Sequence, residues 1–531
     1  TKGPSYLVHQ YEEGKSAFPA ALNGRFHGLL TDRNLGTATL FNDRFGMHRL
    51  YYHESDDSFY FSSEAKAILA VRPELRKIHT KSLGEFVSTG AVLENRSLFE
   101  RIFVLPPGSA WSFRAGTIES KLQYFDASEW ERQDQLDAEG FYRLLREVFT
   151  RNLPRYFVSN EPIAMSLSGG LDTRMILASR NASAWSLPCY TFGSMFRENE
   201  DVRVARRVAQ ACNQSLEVLT AGAEFLSEFQ HYAERAVYLT DGCVDVGRAP
   251  DLYLNEKARE IAPVRMTGNY GGEILRQIRA FKPEPPTGSL FSSELNPYSD
   301  QAADTYSRLA VGHPATFSAF KQAPWHHYGI LALEQTQLSM RSPFLDNDLV
   351  KAVFQAPLQS LSSSATSLRL IEDGNPALSE IPTDRGLAGK QGSLQMLKSR
   401  LLLDFLFKAE YAYDMGMPQW LSRVDHIFAP FHLEKLFLGR HKVFHFRVWF
   451  RSPLANYVQD MLLDRTSLSR PYVSRSSVES AIRKHIKGVA NYTEEIQKLL
   501  TLEILHRQFV DQTDTHATLD RRLSTVGAVL N

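Results

Sequence analysis

The string Ser168-Gly169-Gly170-Leu171-Asp172-Thr173-Arg174 follows a short apolar run, Pro162 to Leu167 (PIAMSL), and precedes a helical stretch. Two consecutive glycines let a backbone curl so that successive N–H groups point inward, and the following helix adds the positive end of its dipole. Together they make a cradle suited to phosphate. The Ser168 hydroxyl adds a donor, and Asp172, in the first helical turn, can reach a Mg²⁺ bridging phosphates. The spacing is neither G-x-x-x-x-G-K-[ST] nor G-x-G-x-x-G, which removes support for a Walker loop and for hydride transfer.

Composition narrows the partners. Sixty Lys plus Arg balance sixty Asp plus Glu, so no global field gathers nucleic acid or an anionic membrane surface. Cys189, Cys212 and Cys243 lie far apart without a C-x-x-C pair, as expected in a reducing compartment. No stretch approaches the roughly 18 apolar residues of a spanning helix, and the start TKGPSYLVHQ has no apolar signal core. The expectation is a cytoplasmic protein with no nucleic-acid and no membrane partner. Thr1 in place of Met is read as processing or as part of a longer gene product.

The elements that position the cradle follow from periodicity. Residues 22 to 125 hold short runs of aromatic and β-branched residues between Gly, Asn and Asp, which predicts antiparallel strands with one helix near Ser63 to Ala70. The polar stretch Asp126 to Gly140 is read as a boundary with few residues able to anchor a core. Beyond it strand and helix alternate, with apolar runs at 162–167, 187–192, 216–220 and 262–267, the pattern of a doubly wound parallel α/β sheet. Phe281 to Asp304 reads as a long excursion, and the part after Ala332 as mostly helical with a loose polar end. The expected units are 1–125, 140–515 and a 516–531 tail.

The cradle string resembles the pyrophosphate loop of N-type ATP pyrophosphatases. The order of motifs resembles the asparagine synthetase family: Leu167 to Asp172, then Tyr190-Thr191-Phe192-Gly193, then Thr267-Gly268-Asn269-Tyr270-Gly271-Gly272-Glu273, then Arg341-Ser342-Pro343-Phe344-Leu345-Asp346. In the first unit, Leu22 to Phe26, Asn42 to Gly46, Leu50 to Tyr52 and Phe61 to Lys66 resemble the second half of that family's glutamine-hydrolysing domain, an N-terminal-nucleophile sandwich. Relatives use an N-terminal cysteine there. Thr1 and the positions of the three cysteines imply that the chain as given does not hydrolyse glutamine.

The resemblance implies ATP and Mg²⁺ as cofactors. It places the nucleotide at Leu167, Ser168, Gly169, Gly170, Asp172, Thr173, Phe192, Gly193, Thr267 and Gly268, and the metal at Asp172 and Glu273. The family's acidic pair reads Gly272-Glu273 here, so one carboxylate is missing; the alternative role for Glu273 is to cap the following helix. A late cation that steadies leaving pyrophosphate falls to Arg385 or Lys390, with Arg174 a third candidate. Asp241 and Asp245 are cleft candidates whose alternative is capping and turning; the His326-His327 pair is given no role.

The implied activity is an ATP-dependent, AMP-forming carbon–nitrogen ligase that adenylates a substrate carboxylate and passes it to ammonia, drawn from glutamine, or to an amine. The wording of the R-S-P-F-L-D and T-D-R-G-L segments favours an amidotransferase-like enzyme acting on a small-molecule or peptide carboxylate other than the asparagine precursor. Plain asparagine synthesis, β-lactam or lasso-peptide ring closure, and a non-catalytic nucleotide-binding relative remain alternatives, and a homodimer is left open.

Overall fold

The computed structural model describes residues 4–14, 17–180, 183–284, 290–388, 394–428 and 433–511; Lys390 and the 516–531 tail lie outside the described residues. The first 125 residues build two antiparallel sheets. One runs β1-β2-β6-β7, from β1 (His27–Asp32), β2 (Thr37–Asn42), β6 (Ser109–Arg114) and β7 (Thr117–Gln123). The other runs β4-β3-β5, from β3 (Tyr51–Glu54), β4 (Phe59–Ser62) and β5 (Phe103–Val104). Period-two burial explains β3: Tyr51 and His53 are buried while Glu54 is exposed.

The expected parallel sheet is present. β8 (Ile163–Ser166), β9 (Cys189–Gly193), β10 (Leu216–Thr220), β11 (Val264–Thr267) and β12 (Ser339–Arg341) pair in the order β10-β9-β8-β11-β12, each pair parallel. Strands covered on both faces read as unbroken apolar runs, which is why PIAMSL was legible: Ala164 and Met165 are fully buried. Successive strands step one way from β8 to β10 and the other way from β11 to β12. The switch between β8 and β11 is where open α/β sheets place ligands, at the carboxyl ends of the strands.

Three expectations need correction. Trp130 does anchor a core within the polar stretch, packing on Phe125, Phe320 and Phe354. Asn296–Leu309 is a helix rather than irregular excursion, and Thr80–Thr89 is a second α-helix within residues 22 to 125. These two helices lie together because Gly84 has no side chain; a Cβ there would stand 2.4 Å from Tyr298 Cβ.

The antiparallel part is tied to the parallel part by polar hubs. Asp346, closing the R-S-P-F-L-D segment, accepts hydrogen bonds from Asn23 Nδ2, Asn152 Nδ2 and Tyr156 Oη. Asp241 accepts from the Ala65 and Lys66 amides at a helix start, and Arg49 donates to Cys243 Sγ and the Pro324 carbonyl.

Candidate functional site

The β8 loop and the β11 loop meet at the switch point, backbone against backbone. A Cβ on Gly268 would stand 2.8 Å from both Asp172 Cβ and Thr173 N, and one on Gly271 would stand 2.5 Å from Asp172 Cγ. Neither Gly169 nor Gly170 has a positive φ. Close approach, not a left-handed turn, is what demands glycine at 169: a Cβ there would lie 3.0 Å from Asp201 Oδ1 and 3.1 Å from Asp384 Cβ. Tyr270 does take a left-handed φ of 72° at the β11 loop, a strained choice for an aromatic residue.

These loops floor a cavity of about 490 Å³, a size that suits small-molecule and cofactor ligands. Ser168, Asp172, Thr173, Thr267 and Gly268 form one side, with Phe192 on the β9 side. The Ser168 hydroxyl accepts from Gly170 N at 3.3 Å and stands 3.4 Å from Thr173 Oγ1. Asp201 accepts from Gly169 N at 2.7 Å; burial, with Asp384 beside it, pushes its carboxyl up to about 6.

The same cavity is also lined by ion pairs. Arg265 donates to Glu334 Oε1 at 2.8 Å and Ser166 Oγ at 2.9 Å, with its guanidinium carbon 5.5 Å from the Phe192 ring centroid. Arg248 donates to Asp251 at 3.2 Å. Glu273 Oε1 faces His327 Nε2 at 3.6 Å. Burial pushes the Glu273 carboxyl up to about 7 and the His327 imidazole down to about 4, so between those values the two meet as neutral groups rather than as an ion pair.

Asp172 is held by a fork. Arg276 Nη1 donates to its Oδ1 and Nη2 to its Oδ2, both at 2.7 Å, and Nη1 also donates to Ser367 Oγ. A six-residue helix, Gly271–Arg276, starts against Asp172, where Gly271 leaves no room for a Cβ, and carries Arg276 in its last turn. Both oxygens of Asp172 are thereby engaged. Glu273 is turned to His327, Gly272 offers no side chain, and among the described residues no group of three His, Cys, Asp or Glu could hold a metal ion. The donor set does not fit Mg²⁺, which takes near-octahedral oxygen coordination.

The sequence comparisons bear on this geometry. Residues 5–125 match the glutamine amidotransferase domain family and residues 144–370 the asparagine synthase family. Asparagine synthetase [glutamine-hydrolyzing] 1 of Bacillus subtilis is 24% identical over 285 residues, 52% of this chain and 44% of that protein. Asparagine synthetase 3 of the same organism is 26% identical over 205 residues, 38% of this chain and 33% of that protein. The chain belongs to the asparagine synthetase family. A putative asparagine synthetase of Methanocaldococcus jannaschii is 22% identical over 258 residues, 48% of this chain and 49% of that protein. The chain thus spans half or less of the length of these relatives.

Against the family's pattern, the residues expected at the nucleotide divide. Leu167, Ser168, Asp172, Thr173, Phe192, Thr267, Gly268 and Glu273 line the cavity. Gly169 packs behind the loop on Asp201 and Asp384, and a Cβ on Gly193 would point at Val218 and Thr220 on β10. Arg385 is exposed, its guanidinium 4.0 Å over the Phe407 ring, so the loop reaches the cradle while its cation turns elsewhere. Arg174 is buried and donates to the carbonyls of Gly169, Leu378, Ile381 and Pro382, fastening the two loops. Burial lowers its pKa to about 10. Asp245 accepts from Gly247 N and Asp241 caps a helix start, the alternative given for both.

Sequence reasoning passed over Arg276, Asp201, Arg248, Arg265, Glu334 and His327. Only the R of G-G-E-I-L-R, one turn past Gly272, carried a signal: a cation beside a missing carboxylate.

Proposed function

We propose that the chain is an ATP-dependent carbon–nitrogen ligase of the AMP-forming kind, in which the cavity at the β8–β11 switch point takes the nucleotide. The observation that carries this reading is the presence in one cavity of the polar loop residues Ser168, Thr173, Thr267 and Gly268, the aromatic ring of Phe192 and the arginines Arg248 and Arg265. Hydroxyls and amides at a strand-to-helix turn receive the polyphosphate, Phe192 gives the base an apolar surface, and Arg248 faces the substrate carboxylate.

In the reaction a carboxylate oxygen attacks the α-phosphorus, the α–β bridging P–O bond breaks, and pyrophosphate leaves with the bonding pair. An amine nitrogen then attacks the acyl carbon of the adenylate, the C–O bond to phosphate breaks, AMP departs and the amine gives up a proton. Adenylation turns a carboxylate, a poor electrophile, into a good one. Arg385 and Lys390 remain the proposed sources of positive charge for the leaving pyrophosphate.

The nitrogen is proposed to be ammonia released from glutamine or an amine already on the substrate. Cys189, Cys212 and Cys243 all lie outside residues 5–125, so none belongs to the glutamine amidotransferase-like part. Among the described residues no helix is long and apolar enough to cross a membrane, and cytoplasmic location is part of the proposal.

A second reading, a relative that binds nucleotide without turning it over, is favoured by the Arg276 fork on Asp172. Incubation with ATP, a panel of carboxylates and an ammonium salt, with AMP and pyrophosphate scored against ADP and phosphate, separates the two. Carboxylate-dependent AMP supports the ligase; bound but intact ATP supports the second reading and overturns the first.

A further inference from the structure

The acidic side chains lining the cavity share a feature beyond Asp172. Asp172 is forked by Arg276, Asp251 is held by Arg248, and Glu334 is held by Arg265. Of the two remaining, Asp201 is tied to the Gly169 amide and Glu273 faces His327. Three of five carboxyl groups therefore carry a resident guanidinium. The Asp172 fork is largely shielded from solvent, with side chains 19% and 12% exposed, and paired charge-assisted hydrogen bonds of this geometry are strong and directional.

The place of the missing carboxylate is also taken. A Cβ on Gly272 would begin 3.2 Å from Arg276 Nη2 and 2.8 Å from Ile278 Cδ1. The direction in which a second acid would reach Asp172 is filled by the guanidinium itself. The glycine at 272 and the guanidinium of Arg276 are thus two parts of one arrangement.

We propose that this cavity binds the polyphosphate of ATP without a divalent cation, Arg276 supplying as a fixed part of the chain the positive charge that Asp172 would otherwise need from a metal. The proposal rests on the nucleotide reading above and adds to it. A metal-free tetra-anionic nucleotide would be repelled by an unpaired carboxylate at the cradle; with Asp172 neutralised, the hydroxyls of Ser168 and Thr173 and the positive end of the helix that starts at Asp172 are left to receive it.

The test is isothermal titration of the full chain with ATP, once in excess EDTA and once in millimolar Mg²⁺. Wild-type affinity is expected to agree within about threefold between the two. Arg276→Ala leaves Asp172 unpaired, and its affinity in EDTA is expected to fall about tenfold to a hundredfold, most of it regained with Mg²⁺. Asp172→Asn is expected to bind ATP in EDTA more tightly than wild type, because it frees the arginine. Arg276→Lys keeps the charge without the fork and is expected to lie between wild type and Arg276→Ala, which guards against loss by misfolding.

Wild-type binding that is tenfold or more tighter with Mg²⁺ overturns this inference and leaves the nucleotide reading intact. Weakened binding of Asp172→Asn in EDTA also overturns it. No ATP binding in either condition overturns the nucleotide reading, and this inference with it.

Discussion

Glu273 gives the sharpest prediction of pH dependence. Burial raises its carboxyl to about 7, with Asp172 nearby adding to the rise and Arg276 opposing it. Moving from pH 6 to pH 8 therefore converts a mostly neutral group in the cavity wall into a mostly ionised one. At about 6–8 Å from a phosphate and an effective dielectric near 20, that charge costs about 2–3 kcal/mol. Salt and the open mouth of the cavity halve it, leaving about 1–1.5 kcal/mol, or roughly tenfold in affinity. Because the folded-state pKa of an acid is raised, the stabilising neutral form is fully present below the ordinary carboxylate range and is lost as pH rises through about 7. Stability is therefore lost between the ordinary carboxylate range and about 7, and binding weakens as Glu273 ionises through and above about 7. The assay is ATP titration at pH 6, 7 and 8 for wild type and Glu273→Gln. The ligand's own titration is common to both proteins and cancels in their ratio. A wild-type profile parallel to that of Glu273→Gln would refute the reasoning.

Other substitutions probe the frame around the cavity. Asp346→Ala strips the acceptor from Asn23, Asn152 and Tyr156 and should cost about 3 kcal/mol, read as a lower denaturant midpoint. Arg174→Ala leaves four carbonyls without their donor; a loss of about 2–4 kcal/mol and faster proteolysis within 381–388 are expected. Gly272→Asp combined with Arg276→Ala restores a carboxylate and clears the guanidinium. It should make ATP affinity about tenfold greater with Mg²⁺ than in EDTA, measured by titration.

What the sequence revealed and what it hid have physical causes. The parallel strands were legible because burial on both faces leaves unbroken apolar runs such as 162–167, and the β8 loop was legible because its chemistry is contiguous. The helix Asn296–Leu309 was not, since its buried face is Ser299, Ala302, Thr305 and Tyr306, a mixture rather than an apolar stripe, while Tyr298 and Ser299 approach Gly84 too closely for a side chain there. Thr80–Thr89 begins with His79 as its cap, outside the usual capping residues, and includes Gly84. Trp130 shows that one aromatic side chain can anchor a stretch whose composition reads as linker.

At the site the same division holds. Leu167 to Thr173 and Thr267-Gly268 could be placed because each is a local loop following its strand. The Arg276 fork spans 104 residues of sequence and depends on the close meeting of the β8 and β11 loops at Gly268 and Gly271, which no local pattern announces. Asp201 reaches Gly169 from the first turn of a different helix. Arg385 has the residue type for a phosphate contact, yet Phe407 offers its guanidinium a ring face, a competition visible only in three dimensions.

The central claim is that the turn after β8 grips a polyphosphate at the junction with β11. A crystal of the full chain soaked with ATP or a non-hydrolysable analogue tests it most directly. The account predicts phosphate density against Ser168, Thr173 and Gly268, with Arg276 still forked on Asp172. Nucleotide bound elsewhere, or a cavity that stays closed to ligand at saturating concentration, would contradict it.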